Sequence, residues 1–156
     1  MTRIVIDNSK CTGCRLCATV CALYNEGVNN PKKSRVFVST DWQYRLNSVL
    51  LCYQCTKASC ARVCPVDAIV RDNGVVKIDY EKCIGCGLCA AECPFGAIGQ
   101  YNDKVAKCEL CGGEPQCVKF CETGALSLSL NDAGANARLR LAQKKIMQFK
   151  DKLGFE

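Results

Sequence analysis

Four cysteines, Cys83, Cys86, Cys89 and Cys93, are followed directly by Pro94. Their spacing, C-x2-C-x2-C-x3-C-P, is suited to binding a [4Fe–4S] cubane through thiolate–iron bonds. In this arrangement the first three thiolates bind three irons of one cubane, while the fourth binds an iron of a second cubane. A single run of this kind therefore predicts a partner run elsewhere in the chain.

Three further runs supply candidate partners, and the chain holds sixteen cysteines among its 156 residues. The first run repeats the regular spacing, whereas the middle gap is four residues in the second run and five in the fourth. A cysteine share this high indicates either a disulfide scaffold or metal binding. In chain order the runs are Cys11, Cys14, Cys17, Cys21; Cys52, Cys55, Cys60, Cys64; Cys83, Cys86, Cys89, Cys93; and Cys108, Cys111, Cys117, Cys121.

The N-terminal sequence argues against a disulfide scaffold, which is typical of small secreted domains. Residues 1–7 contain no apolar segment of the kind found in signal peptides. No stretch of the sequence reaches the ~18 apolar residues of a membrane span. We therefore expect a cytoplasmic protein without a membrane span, whose thiols stay reduced and bind metal.

The sequence contains no histidine, which excludes zinc fingers built from Cys and His and also Rieske centres. An all-cysteine zinc scaffold that binds protein or nucleic acid is an alternative, because such zinc sites also use C-x2-C pairs. Zinc ribbons place two such pairs far apart, whereas the first and third runs each hold four cysteines within eleven residues. This compact spacing favours iron–sulfur clusters.

The formal net charge of the chain is +6 when the cysteines are counted as neutral. Sixteen thiolates and four oxidised cubane cores would together add about −8, which brings the loaded protein to about −2. The basic excess thus balances cluster charge, and we expect no nucleic-acid partner. Basic residues beside the runs could raise reduction potentials locally, but each is expected to be a solvated surface side chain. These residues are Lys10, Arg15, Lys57, Arg62, Lys82, Lys107 and Lys119.

Short β-strands are predicted on either side of the runs. Residues 3–7, 34–39 and 125–130 are rich in β-branched or alternating apolar side chains, as half-buried strands are. Residues 24–31, which are rich in Asn and Gly, are predicted to form a loop. Residues 41–51 are predicted to be a connecting segment.

An Asn73-Gly74 hairpin joins the second and third runs into one uninterrupted unit of run, hairpin and run. The first and fourth runs are left, and their flanking strands could pair to close a second unit. The alternative, pairing the first run with the second, would require residues 22–51 to replace a tight hairpin. Exchange of the fourth cysteine then assigns four ligand sets. Set A is Cys11, Cys14, Cys17 and Cys121; set B is Cys108, Cys111, Cys117 and Cys21; set C is Cys83, Cys86, Cys89 and Cys64; set D is Cys52, Cys55, Cys60 and Cys93.

This pairing predicts an α+β fold of two bacterial-ferredoxin-like units, each with two clusters, the second unit being inserted in the first. The outer unit is predicted to comprise residues 1–48 and 99–130, and the inserted unit residues 49–98. From residue 135 onwards apolar residues recur at spacings of four and three, which predicts an amphipathic C-terminal helix within residues 131–156. This helix is expected either to dock on a partner or to pack against its own domain.

The order of the four runs resembles the four-cluster iron–sulfur subunits of DMSO reductase, formate dehydrogenase and hydrogenase-type complexes, over residues 2–130. In that family the first run pairs with the fourth and the second with the third. The segments CALYNEG at 21–27, CYQC at 52–55 and KCELC at 107–111 are similar to the small subunits of tungsten aldehyde oxidoreductase-type enzymes and of benzoyl-CoA-reducing complexes. Ferredoxins associated with carbon monoxide dehydrogenase are also similar.

The resemblance implies an electron-transfer subunit that carries four [4Fe–4S] clusters and has no catalytic residue of its own. Catalysis would then lie on a partner chain, with a tungsten- or molybdenum-pterin enzyme as the expected type. Further copies of the chain or a flavin subunit are candidate additional partners. A free polyferredoxin that diffuses between several enzymes is the alternative.

Overall fold

The computed structural model describes residues 2–101 and 103–129. Within this part of the chain, eight strands form four two-stranded antiparallel sheets. The strands are β1 (Arg3–Ile6), β2 (Val36–Asp41), β3 (Leu46–Leu51), β4 (Ile69–Asp72), β5 (Val75–Ile78), β6 (Ile98–Tyr101), β7 (Lys104–Lys107) and β8 (Leu126–Ser129). The α-helices are α1 (Leu16–Glu26), α2 (Ser59–Arg62), α3 (Leu88–Ala91) and α4 (Gln116–Lys119). The expected α+β class is confirmed, and the helix expected over residues 131–156 lies outside the described residues.

Strands β1 and β8 pair antiparallel although they lie near opposite ends of the described chain. Ile4 is opposite Leu128, and Ile6 is opposite Leu126. In the alternating Leu-Ser-Leu-Ser sequence of β8 the two leucines lie on one face and the two serines on the other, and Leu126 is buried whereas Leu128 is exposed. The predicted pairing of the strands that flank the first and fourth runs is therefore confirmed.

Strands β4 and β5 form the hairpin expected between the second and third runs. Its two central residues, Asn73 and Gly74, have φ angles of 47° and 80°. Positive φ at both positions gives the turn a twist that matches the right-handed twist of the flanking strands. Asn and Gly tolerate this conformation better than other residues, which explains why the hairpin could be predicted.

Strands β2 and β3 form a second hairpin, so the prediction that residues 41–51 are only a connecting segment was wrong. The turn contains no glycine. Instead, Asp41 Oδ1 accepts hydrogen bonds from the backbone N–H groups of Gln43 (3.0 Å) and Tyr44 (3.1 Å). Arg45 adopts the left-handed conformation, with φ of 52°. An aspartate side chain therefore replaces the usual glycine signal for a turn.

Helix α1 continues to Glu26, so the loop predicted over residues 24–31 begins later than expected. The helix ends where Gly27 adopts a φ angle of 67° and donates its N–H to the carbonyl oxygen of Leu23 at 3.0 Å. A left-handed glycine at this position is a common helix terminator. The extra helical turn also places Glu26 where it interacts with Arg35, as described below.

Apolar side chains are buried in two core clusters. The first contains Ile4, Val36, Leu51 and Leu110, and the second contains Ile69, Val76, Ile78, Ile98 and Val105. Cysteines belong to both clusters, with Cys21, Cys52, Cys108 and Cys117 in the first and Cys89 in the second. The division into an outer and an inserted unit stays a prediction, and Cys52, which that division puts in the inserted unit, packs in the first core cluster.

Candidate iron–sulfur sites

Three cavities in the described part of the chain are lined by cysteines from distant runs. One is lined by Cys52, Cys55, Cys60 and Cys93, which are the members of set D. A second is lined by all four cysteines of set A. A third is lined by all four cysteines of set C. In each cavity, three cysteines of one run lie with the last cysteine of another run.

The arrangement of these thiols suits a cluster of several irons. The cysteines of sets A, C and D are distributed around the walls of three cavities. Within residues 2–101 and 103–129, no three Cys, Asp or Glu side chains converge on a single metal-ion position. Because each thiolate of a cubane binds a different iron, such a cluster requires ligands that are distributed around it.

The cysteines of set B lie together as well. Burial raises the pKa of the Cys117 thiol strongly, and interactions with Cys108, Cys21 and Cys111 raise it further. Cys21, Cys108 and Cys117 also pack in the same core cluster.

Interactions between the sets indicate which of them are neighbours. In three cysteines burial is the largest cause of a raised pKa, and a thiol of the adjacent set raises it further. These interactions connect set A with set B, set B with set D, and set D with set C. The interacting pairs are Cys17 with Cys117, Cys52 with Cys108, and Cys60 with Cys89. Core packing gives the same neighbours, since cysteines of sets A and B pack in the first core cluster, those of set C in the second, and those of set D in both. We call the order A, B, D, C the row.

The ligand thiols differ in how readily they lose their protons. Burial raises the pKa of Cys17 to about 11 and that of Cys108 to about 12. Burial would also raise the pKa of Cys121, but the N–H of Leu126 and the hydroxyl of Thr123 outweigh it and hold the value below the ordinary one. Iron must displace protons from the buried thiols, so cluster binding is coupled to proton release.

The last cysteine of every run accepts a backbone N–H hydrogen bond at its sulfur. These bonds are 3.2–3.4 Å long, and in three of the four runs the donor lies four or five residues after the cysteine. An N–H donor stabilises a thiolate and raises the potential of a cluster that the thiolate binds. The donors are Arg35 for Cys21, Ala68 for Cys64, Ala97 for Cys93, and Leu126 for Cys121.

Arg35 is a buried residue beside set B that the sequence did not single out. One guanidinium nitrogen lies 3.7 Å from Glu26 Oε1, and another lies 3.6 Å from Glu109 Oε2. Glu109 Oε1 also accepts the N–H of Ile78 at 2.9 Å, which connects the fourth run to β5. Glu109 is distant in the chain from Glu26 and Arg35, so no local pattern indicates that the three charged residues meet.

Six of the seven basic residues beside the runs are exposed as expected, but Lys107 is fully buried (0%), and that expectation was wrong. Its Nζ donates to the carbonyl oxygens of Val76 and Cys108, the latter at 3.0 Å. Gln54, which is 1% exposed, bonds to the same two residues. Its Nε2 donates to the Cys108 carbonyl at 2.7 Å, and its Oε1 accepts the Val76 N–H at 2.8 Å. We call Lys107, Gln54, Val76 and Cys108 the central clamp.

A glycine at position 85 lets the third run approach the turn between β6 and β7. Gly85 has a φ of +69°, and a Cβ added there would lie 1.9 Å from the carbonyl oxygen of Asp103. We expect a Gly85→Ala variant to displace the loop between Cys83 and Cys86, to bind less iron at set C, and to unfold at a lower temperature. Iron analysis and thermal unfolding under anaerobic conditions measure both effects.

Gly74→Ala is the matched control for this prediction. Gly74 also has a left-handed φ, of +80°, but no atom lies within 4 Å of its added Cβ. The Gly74→Ala variant should therefore lose about 1–2 kcal/mol of stability, from the conformational cost alone, and keep its iron. Equal loss of iron from both variants would show that the close approach at Gly85 is unimportant.

Comparison with known proteins agrees with this geometry. Two families described as "4Fe-4S binding domain" match residues 76–99 and 3–28. The uncharacterised ferredoxin MJ0265 of Methanocaldococcus jannaschii is 41% identical, over 82% of this chain and 72% of its own length. The polyferredoxin-like subunit of the aliphatic sulfonate oxidoreductase of Pyrococcus furiosus is 39% identical, over 76% of this chain and 70% of its own length.

A solved structure of the active site complex BamBC of benzoyl coenzyme A reductase contains a chain with a similar fold. The TM-score is 0.50 at 28% sequence identity, and the match covers 92% of this chain and 88% of that one. None of the helices within residues 2–101 and 103–129 has the length and apolar character needed to cross a membrane. From the matched families and relatives, the chain belongs to the 4Fe–4S ferredoxin-type family of iron–sulfur electron-transfer proteins.

Proposed function

We propose that this chain is the non-catalytic electron-transfer subunit of an oxidoreductase complex, with a [4Fe–4S] cluster on each of the ligand sets A, B, C and D. The observation that carries the proposal is the grouping of the cysteines. Three cavities each hold three cysteines of one run with the last cysteine of another, and Cys108 and Cys117 of the fourth run pack with Cys21 of the first. A bound cubane supplies one-electron redox chemistry. The chain positions the thiols, partly excludes water from them and donates N–H groups to their sulfurs.

The row A, B, D, C supports a path with two accessible ends. Cys14 of set A and Cys86 of set C are exposed. Cys108 and Cys117 of set B and Cys52 of set D are buried. Electrons would therefore enter or leave through the end sites, and the two central sites would pass them along inside the protein.

The catalytic partner that we propose is a tungsten- or molybdenum-pterin oxidoreductase, such as an aldehyde oxidoreductase. The similar Pyrococcus furiosus chain is named as a subunit of an oxidoreductase, and the similar solved chain comes from an active site complex. Further copies of the chain or a flavin subunit would contact the other end of the row. We place the protein in the cytoplasm, where thiols are kept reduced for cluster binding.

Chemical analysis of the anaerobically purified protein tests the cluster content. Four cubanes require about sixteen iron and sixteen acid-labile sulfide per chain. Zinc without sulfide would refute the iron–sulfur proposal, and about eight iron per chain would refute the presence of four clusters.

Purification from the native source tests the partner. We expect a second subunit to co-purify, and we expect elemental analysis to find tungsten or molybdenum in it. Elution of the chain alone, fully loaded with clusters, would instead support a free polyferredoxin.

A further inference from the structure

The ammonium group of Lys107 lies where the two core clusters meet. Val76 belongs to the second core cluster and Cys108 to the first, and the Lys107 Nζ donates to the carbonyl oxygens of both. Gln54 bonds to the same two residues through its neutral amide. The central clamp therefore holds a positive charge at this junction, next to a ligand of set B.

Within residues 2–101 and 103–129, no carboxylate forms an ion pair with this ammonium group. A buried cation without an anion is strongly destabilised, and two carbonyl dipoles compensate only partly. Negative charge must therefore come from another source. An oxidised cubane with four thiolate ligands has a net charge of about −2, which makes the adjacent cluster sites suitable counter-ions.

The charge of Lys107 acts on two sets at once. Its Nζ donates to the carbonyl oxygen of Cys108, a member of set B, and to that of Val76, which lines the cavity of set D. Sets B and D are the two sets in the middle of the row. One cation thus faces both central sites.

A buried cation near a cluster changes the free energy of reduction. Reduction adds negative charge, and the attraction of a neighbouring cation is weakly screened where water is excluded. The cation therefore stabilises the reduced form more than the oxidised form, which raises the reduction potential. Because Lys107 faces both central sites, it raises both potentials.

We propose that the buried charge of Lys107 raises the reduction potentials of the two central clusters, on sets B and D. This inference rests on the four-cluster function proposed above. It makes the middle of the row a favourable place for an electron to reside.

Substitution of Lys107 by methionine removes the charge and keeps most of the side-chain volume. Anaerobic redox titration followed by electron paramagnetic resonance should show two of the four potentials shifted to more negative values. We expect the equilibrium constant for reduction to fall at least about tenfold, which is 59 mV for a one-electron couple. Lys57→Met is the matched control, since Lys57 lies within the run of set D and loses the same charge, but is exposed to water. Its four potentials should stay unchanged.

Gln54→Met separates charge from structure, because it breaks the neutral part of the clamp and keeps the cation. We expect it to lower the temperature of unfolding and to leave the potentials unchanged. If Gln54→Met shifts the same two potentials as Lys107→Met, the effect comes from packing and the inference is overturned. Fully loaded Lys107→Met protein with unchanged potentials would also overturn it, whereas a wild-type protein with fewer than four clusters would refute the proposed function itself.

If the Lys107→Met variant loses its clusters altogether, Lys107→Arg, which keeps the charge, tests the inference. Normal loading and normal potentials in the arginine variant would show that the charge is required, in support of the inference. Loss of the clusters in both variants would show that the site requires the shape of lysine, and the inference would be wrong.

Discussion

In a Cys93→Ala variant, the cluster of Cys52, Cys55 and Cys60 will be lost, while the cluster of the third run will remain. Cys93 belongs to the third run in sequence, but it lines the cavity of set D. Iron should fall from about sixteen to about twelve per chain. Electron transfer between the two ends of the row should fall to background, because set D lies between sets B and C.

Alkylation of free thiols followed by mass spectrometry identifies the cluster that is lost. In Cys93→Ala, the cysteines of the second run should become reactive, and those of the third run should stay protected. Cys64→Ala is the matched control, because it removes the same amount of iron from set C at the end of the row and leaves clusters A, B and D connected. Reactive Cys83, Cys86 and Cys89 in the Cys93→Ala protein would contradict the ligand assignment.

A Leu126→Ala variant will lose about 2–5 kcal/mol of stability, as large-to-small substitutions in a packed core do. Leu126 is 3% exposed, packs in the first core cluster, and lies opposite Ile6 in the sheet that pairs β1 with β8. Its backbone N–H also donates to the sulfur of Cys121. The cavity left by the shorter side chain should loosen this sheet, so the cluster on set A should be released first on heating.

Leu128→Ala in the same strand is the control for this variant. Leu128 is 38% exposed, so its truncation should change stability by less than about 0.5 kcal/mol. Thermal unfolding and the loss of visible cluster absorbance, recorded anaerobically, measure both variants. Equal unfolding temperatures for the two variants would show that the pairing of β1 with β8 contributes little to stability.

Residue types that are neighbours in the sequence were sufficient to predict only part of the fold. The hairpin at Asn73-Gly74 was predictable because the two residues themselves favour the required positive φ angles. The hairpin of β2 and β3 was not, because its turn depends on the side chain of Asp41 and on a strained Arg45. A turn stabilised in this way resembles any other polar segment in the sequence.

The candidate sites show the same limit. Cysteine spacing was sufficient to predict the ligand sets, which stay a prediction, because the thiolate geometry around a cubane requires a regular spacing of cysteines in the sequence. No comparable sequence pattern indicates which side chains lie between the sets. Lys107 follows Val105 by two residues in β7, which places it on a buried face, but a lysine in that position is usually solvated. Burial of its ammonium group is a consequence of tertiary packing with Gln54 and Val76.

The pairing of β1 with β8 also has a consequence for biogenesis on the ribosome. With the proposed ligand sets, sets C and D are complete once Cys93 has emerged, so their clusters can be inserted into a nascent chain. Set A needs Cys121, and set B joins Cys21 to the fourth run, so both wait until the fourth run has been made. The thiols of the first run are therefore the first to be synthesised and among the last to be protected by a cluster. They remain open to oxidation for the longest time while the protein is being made.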